Sequence, residues 1–465
     1  MRQMTLKNIA ASCHGVFYGD QEQETEEISG VVIDSRQVEP GYLYIAMRGE
    51  RVDGHKFIPD VYEKGAAAVL SEQVLESPAG PYILVESCPQ ALKDIAEFYR
   101  SVLEIPVIGI AGSVGKTSTK EMIAAVLGEK YHVLKTEGNF NNEIGLPLTL
   151  LRIREEHEAA VVEMGISDFG EMHRLAKMAR PDICVMTNIG QCHLENLIDR
   201  DGVLRAKSEI FDYLQPDGVI VLNGNDDKLS EIDEVKGVRP VRYFVEDGTA
   251  ERMNEDYYVT ADAIENHGLR GMEAVLHFPE EDCQIHEPIP GVHNIYNACA
   301  AACVGHAMGL SRGEICEGIS HARTIAGRTN LMEAGGVMII DDCYNANPVS
   351  MRASLDVLAL AEGRKIAVLG DMGELGENER ELHRQVGAYA AEKGIDLVLC
   401  TGELSEELAD AAKAGCETMH FAGRDALTGQ LLSMIRPGDT VLVKASHFME
   451  FPKIVKALRE AADKM

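Results

Sequence analysis

No stretch of this 465-residue chain approaches the roughly 18 consecutive apolar residues that a membrane-spanning helix requires. Met1 to Phe17 also lacks a long apolar core behind a basic start, so an unexported, soluble, cytoplasmic protein is expected. Positive charge is scarce too. The chain has 44 Lys plus Arg against 75 Asp plus Glu, a net of −31, which disfavours nucleic acid or an anionic membrane as a partner. Small anionic ligands remain admissible, because a few well-placed cations serve them. The 11 cysteines run from Cys13 to Cys416 without a C-x-x-C pair. That argues against a zinc ribbon and for reduced thiols without a disulfide framework. Cys299 and Cys303 share a helix face, yet their neighbours Ala298, Ala300, Ala301 and Ala302 mark them as core-packing thiols. Short repeats and low-complexity tracts are missing. The length exceeds one comfortable core and points to about three domains.

What is present is an alternation of short apolar runs with helical patterns. Val31 to Ile33, Tyr42 to Ala46, Ala66 to Leu70 and Tyr82 to Val85 outline a small α/β domain over residues 1–100. Val107 to Ile110, Ala159 to Val162, Ile183 to Met186 and Val219 to Leu222 alternate with helical segments. This is the pattern of a doubly wound, mostly parallel sheet, placed in a central domain over 101–324. From about Val241 to Glu287 the pattern turns β-rich, and Val241 to Val245 with Tyr257 to Ala261 reads as an antiparallel appendage. A helix is expected from about Asn294 to Met308, and Gly327 with Arg328 marks a hinge into a third unit, 325–465. There Val337 to Ile340, Ile366 to Leu369, Leu397 to Cys400 and Val441 to Val443 outline a second open, Rossmann-like sheet.

The chemistry concentrates at strand ends. Gly112, Ser113, Val114, Gly115, Lys116 and Thr117 lie between the run ending at Ile110 and a helical pattern beginning near Ser118. Glycines let backbone N–H groups approach phosphate oxygens, the helix turns its positive end toward them, Lys116 supplies a mobile cation and Thr117 a hydroxyl for magnesium. The chain is therefore expected to bind a nucleoside triphosphate, although Ile110 stands where G-x-x-x-x-G-K-[ST] has its first glycine. Thr119, Met122, Ile123, Val126 and Leu127 give the following helix its inward face. Glu163 follows the second central run, where a metal-linked acid commonly stands beside a phosphate loop; a carboxylate capping the turn at Gly165 is the alternative. His193, beyond the third run, fits a loop histidine as well as a ligand. Lys207, in the pattern Leu204 to Phe211 beside Glu209, reads as solvated or ion-paired. Asn294 and Asn297 share a helix face, as base ligands or caps. Arg328 offers phosphate a planar fork, or is a surface charge at a hinge. Asp342, Tyr344, Asn345 and Asn347 form a polar cluster that an Asn-rich turn before Pro348 would also produce.

Three longer motifs carry a resemblance: Thr136-Glu137-Gly138-Asn139-Phe140-Asn141-Asn142-Glu143-Ile144-Gly145-Leu146-Pro147, Asp341-Asp342-Cys343-Tyr344-Asn345-Ala346-Asn347-Pro348, and Leu369-Gly370-Asp371-Met372-Gly373-Glu374-Leu375-Gly376. With the phosphate loop, which this family carries in the same shortened form, they resemble the Mur ligase family over essentially the whole chain. The resemblance implies an ATP-dependent, ADP-forming amide ligase of peptidoglycan precursor synthesis. In it ATP phosphorylates the terminal carboxylate of UDP-N-acetylmuramoyl-tripeptide, and D-alanyl-D-alanine attacks the acyl phosphate. It further implies catalytic roles for Lys116, Lys207, Glu163 and His193. Thr117, Glu163 and His193 would hold magnesium together with Lys207, the latter as a carbamate formed from carbon dioxide. ATP contacts would come from Gly112 to Ser118 and from Asn297, Arg328 and Asp342. Substrate contacts would come from Ser35, Arg36, Asn139, Asn141, Asn142, Tyr344 and Asn345, with Asp34-Ser35-Arg36 and Arg48-Gly49-Glu50-Arg51-Val52-Asp53-Gly54-His55 as the uridine-nucleotide region. A monomer is expected. One departure stands out: Lys444-Ala445-Ser446-His447 occupies the place of the family's Lys-Gly-Ser-Arg. A folylpolyglutamate synthetase and a nucleotide-driven switch ATPase are the alternatives, and the Asn-rich motifs disfavour the first.

Overall fold

The chain forms three sheets, whose inner strands, such as Val107–Ala111, Ile183–Met186 and Thr440–Lys444, are buried at every residue. The computed structural model describes residues 1–50, 52–248, 258–279 and 281–465. Arg51 of the uridine-region motif and Tyr257 of the second β-rich run lie outside the described residues. The first sheet has the order Val16–Tyr18, Tyr82–Leu84, Ala68–Ser71, Tyr42–Ile45, Gly30–Val32, with only Val16–Tyr18 antiparallel to its neighbour. The helix Cys88–Val102 leads out of it. Ser87 caps it by accepting the N–H of Gln90, and Ala91, Leu92, Ile95, Ala96 and Tyr99 form its buried stripe. That stripe joins the first unit to the second: the Tyr99 hydroxyl donates to Ile153 O at 2.7 Å, and Arg100 meets Asp182 at 2.9 Å. One hydrophobic cluster accordingly runs from Met4 through to Leu229.

The central sheet has nine strands, ordered Asp282–Glu287, Met272–His277, Val259–Asn266, Val241–Val245, Val219–Asn223, Ile183–Met186, Val107–Ala111, Ala159–Glu163, Val133–Lys135. The β-rich stretch from Val241 is not the wholly antiparallel appendage that its pattern suggested. Val241–Val245 runs parallel to Val219–Asn223, and Val259–Asn266 parallel to Val241–Val245, so antiparallel pairing begins only with Met272–His277. Tyr243, Phe244 and Val245 are buried, which extends the parallel core. Side-chain pattern reports burial and leaves strand direction to tertiary pairing. The third sheet has the order Asn330–Ala334, Val337–Asp341, Thr440–Lys444, Lys365–Gly370, Leu397–Thr401, Glu417–Phe421, all parallel except the first.

Cys299 and Cys303 are buried core residues, as their alanine neighbours suggested. Nine cysteines are free and buried, and Cys283 of the edge strand Asp282–Glu287 faces Cys316 of the helix Arg312–Ser320. Among the described residues no helix is long and apolar enough to cross a membrane.

Candidate active site

Val107–Ala111 lies between Ile183–Met186 and Ala159–Glu163, so the chain leaves its C-terminal end into the crevice where such sheets bind ligands. Gly112 turns there with φ +149, and a Cβ on it would lie 1.9 Å from Thr187 Oγ1. Gly115, at φ +86, opens the helix Lys116–Gly128 in left-handed backbone. The loop between them is clamped by the end of the neighbouring strand. Thr187 Oγ1 and Asn188 Nδ2 donate to Val114 O at 2.7 and 2.9 Å, Asn188 Oδ1 accepts the Val114 N–H at 3.0 Å, and Ser113 Oγ accepts the Gly190 N–H at 2.8 Å. Lys116 folds its ammonium onto Gly112 O at 2.9 Å. Thr119, Met122, Ile123, Val126 and Leu127 are buried, as the helical spacing required.

Glu163 ends its strand 2% exposed, a carboxylate inside the protein. Its oxygens accept from the Thr117 hydroxyl and the Asn141 amide, both at 2.8 Å, and no lysine or arginine among the described residues pairs with it. A buried carboxylate answered only by neutral donors is costly unless a cation joins it, and hard oxygens with a hydroxyl beside them suit magnesium. His193, at φ +52, turns Nδ1 to Glu374 of the third sheet's loop at 2.6 Å. Lys207 is 1% exposed and makes no ion pair among the described residues. Glu209 instead binds the N–H groups of Gly170 and His173, which overturns the reading of a solvated or paired lysine. Burial pushes the Lys207 pKa down to about 8, opposed by the Cys192 thiol and assisted by the charge of Lys116.

A cavity of about 490 Å³ joins the phosphate loop, Glu163 and His193 to the third domain, and Lys207 does not line it. Ser113 to Thr117, Asn141, Asn142, Glu163 and His193 line one side; Arg328, Tyr344, Asn345 and Glu374 line the other. Arg328 stacks on the Tyr344 ring at 4.0 Å, with His447 on a ring centre 5.9 Å from that of Tyr344. A second cavity of about 240 Å³ opens beyond Ser118 among Asn223, His293, Tyr296, Asn297, Arg328, Asp342 and Lys444. Asn297 sits there with its amide on Asn294 Oδ1 at 2.9 Å and its oxygen accepting from Thr119 Oγ1 at 2.8 Å.

Asp342 is not free at that wall. Lys444 Nζ meets its carboxylate at 2.6 Å with both side chains almost fully buried, and Ser354 donates to the same oxygen. Removing one member of such a pair strands the other charge, so Lys444→Met is expected to cost about 3–5 kcal/mol, read as a lower urea midpoint at unchanged slope. Ser35, Arg36 and Asn139 line neither cavity. Arg36 is 87% exposed and forks onto Asp34, and Asn139 is exposed. Residues that sequence reasoning gave no role include Thr187, Asn188, Cys192, Glu374 and Lys444. Thr187 and Asn188 directly follow a strand beside the phosphate loop, the one positional cue available for them.

Comparison with known proteins agrees over the whole length. Residues 27–100 match the Mur ligase family catalytic domain, 110–305 the Mur ligase middle domain and 327–447 the Mur ligase glutamate ligase domain. The chain is 37% identical to UDP-N-acetylmuramoyl-tripeptide--D-alanyl-D-alanine ligase of Bacillus subtilis and 34% identical to that of Escherichia coli, covering 99% of both chains in each case. Among solved structures, MurF from Acinetobacter baumannii superposes with a TM-score of 0.86 at 31% identity, covering 98% of each chain. The MurF ligase from Thermotoga maritima in complex with ADP gives 0.81 at 27% identity, covering 94% of this chain and 98% of that one.

Proposed function

This chain belongs to the Mur ligase family, and from that premise we propose how its residues join D-alanyl-D-alanine to the terminal carboxylate of UDP-N-acetylmuramoyl-tripeptide with ATP, in peptidoglycan precursor synthesis. The observation that carries the reading is the single cavity in which the phosphate loop and Glu163 face Arg328, Tyr344 and Asn345. A carboxylate oxygen is a poor leaving group, and phosphorylation turns it into a good one. The donor carboxylate attacks the γ-phosphorus, ADP departs, and the dipeptide amine then displaces phosphate from the acyl carbon as it loses a proton. The residues supply position and charge. Backbone N–H groups of Gly115, Lys116 and Thr117 cradle the phosphates, Lys116 leaves its own loop carbonyls for the phosphoryl oxygens, and Arg328 approaches from the third domain.

Thr117, Glu163 and His193 are the side chains that would hold magnesium, whose charge offsets that of the phosphates. The neutral amine of Lys207 adds to carbon dioxide and releases one proton, giving a carbamate that supplies the acid this buried position otherwise lacks. Asn297, Ser118 and Asp342 face the nucleoside; Asn141, Asn142, Tyr344 and Asn345 face the tripeptide end. Ser35 and Arg36 bind the uridine nucleotide in a first domain ending near residue 100, with the ATP domain running to 324. The reading takes the enzyme as a cytoplasmic monomer.

Phosphate release measured with each substrate omitted tests this directly. A ligase needs both the UDP-tripeptide and the dipeptide, and oxygen-18 in the donor carboxylate appears in phosphate. Release that ignores either substrate, or phosphate without label, overturns the proposal.

A further inference from the structure

The loop Asp371–Gly376 is pinned to its own domain from several sides. His383, fully buried, accepts the Met372 N–H on Nε2 at 2.9 Å and turns Nδ1 to Glu379 O at 2.7 Å. Ser446 Oγ accepts the Gly373 N–H at 2.9 Å, and Asp371 Oδ1 accepts the Ser405 N–H at 2.7 Å. Met372 and Leu375 are buried. Glu374 alone leaves this frame. It lies in left-handed backbone at φ +61, with its side chain 61% exposed, and crosses to Nδ1 of His193 at 2.6 Å.

Two non-glycine residues in that backbone region cost about 1 kcal/mol or more each, and a polar contact this exposed adds little stability. Stability therefore does not account for the arrangement. Orientation does: an Nδ1–H held by a carboxylate fixes the imidazole tautomer and leaves the lone pair on Nε2. His193 lines the cavity with Thr117 and Glu163, whereas Glu374 comes from the other domain.

We propose that Glu374 is a positioning residue through which the third domain sets His193 of the central domain, so that the metal-binding set of Thr117, Glu163 and His193 is complete only when the two domains meet. The proposal rests on His193 binding the divalent metal, as above. Its test is manganese affinity, followed by electron paramagnetic resonance in the presence of a non-hydrolysable ATP analogue, with analogue affinity measured separately without metal. Glu374→Ala is expected to weaken manganese binding about 10–100-fold and to leave metal-free nucleotide affinity unchanged. Glu374→Gln, which keeps an acceptor oxygen, recovers part of the loss. His193→Ala shows the same deficit, and the double variant is no worse than His193→Ala. Wild-type manganese affinity in Glu374→Ala alongside a weakened His193→Ala overturns this inference alone, as do additive losses in the double variant. Wild-type affinity in His193→Ala overturns the metal reading and this inference with it.

Discussion

Lys116→Ala is expected to lower kcat by about 10³-fold while the protein stays folded. The ammonium is the cation the phosphate loop itself contributes, and charge on the transferring phosphoryl group is greatest in the transition state. In the free enzyme its only polar partners among the described residues are two backbone carbonyls, Gly112 O at 2.9 Å and Ser113 O at 3.5 Å. Its removal therefore strands no buried charge, and the thermal midpoint should hardly move. ADP production with both substrates present, read beside a melting curve, checks both halves. A variant turning over within about tenfold of wild type, where a lost transition-state charge costs 10²–10³, would dismiss the loop as the phosphate site.

The second large effect is expected at Lys207. Lys207→Ala should lose about 10²–10³ of kcat, the cost of a lost electrostatic group in such a site, and regain part of it when formate or acetate is added. The space left by the side chain admits a small carboxylate, so Lys207→Met, which fills that space, should be equally inactive and beyond rescue. The pH dependence has a definite sign. Burial holds the ammonium's pKa down at about 8; the neutral amine that captures carbon dioxide gains population as pH rises through that value. At limiting carbon dioxide, activation of the wild type should therefore rise with pH across about 8, and saturating bicarbonate should flatten the rise. A carbon-13 carbamate signal lost in Lys207→Met and present in the wild type identifies the adduct. Full activity of either variant without additive refutes the role.

Much of this site was legible because its residues follow buried strands in a regular way. Ile110, Val162 and Met186 end or nearly end apolar runs, so the polar residues after them had to meet at one sheet edge. Lys207 was not legible from spacing. Its helix Arg200–Ser208 carries a last-turn lysine of the kind that usually faces water, and only tertiary packing reveals it as buried, without an ion-pair partner among the described residues. The long Asn-rich and Gly-Asp-Met-Gly-Glu-Leu-Gly motifs supplied through resemblance what periodicity withheld, yet left Glu374 without a task. Its partner His193 lies 181 positions away in a different sheet unit, and no local pattern joins them. The direction of Val241–Val245 was missed for the same reason, since it is decided by what lies alongside in space.

Val114 is gripped on both its N–H and its C=O by Asn188, and Ser113 is tied to Gly190. A cradle fixed in advance spares the incoming fuel molecule the entropy of ordering it.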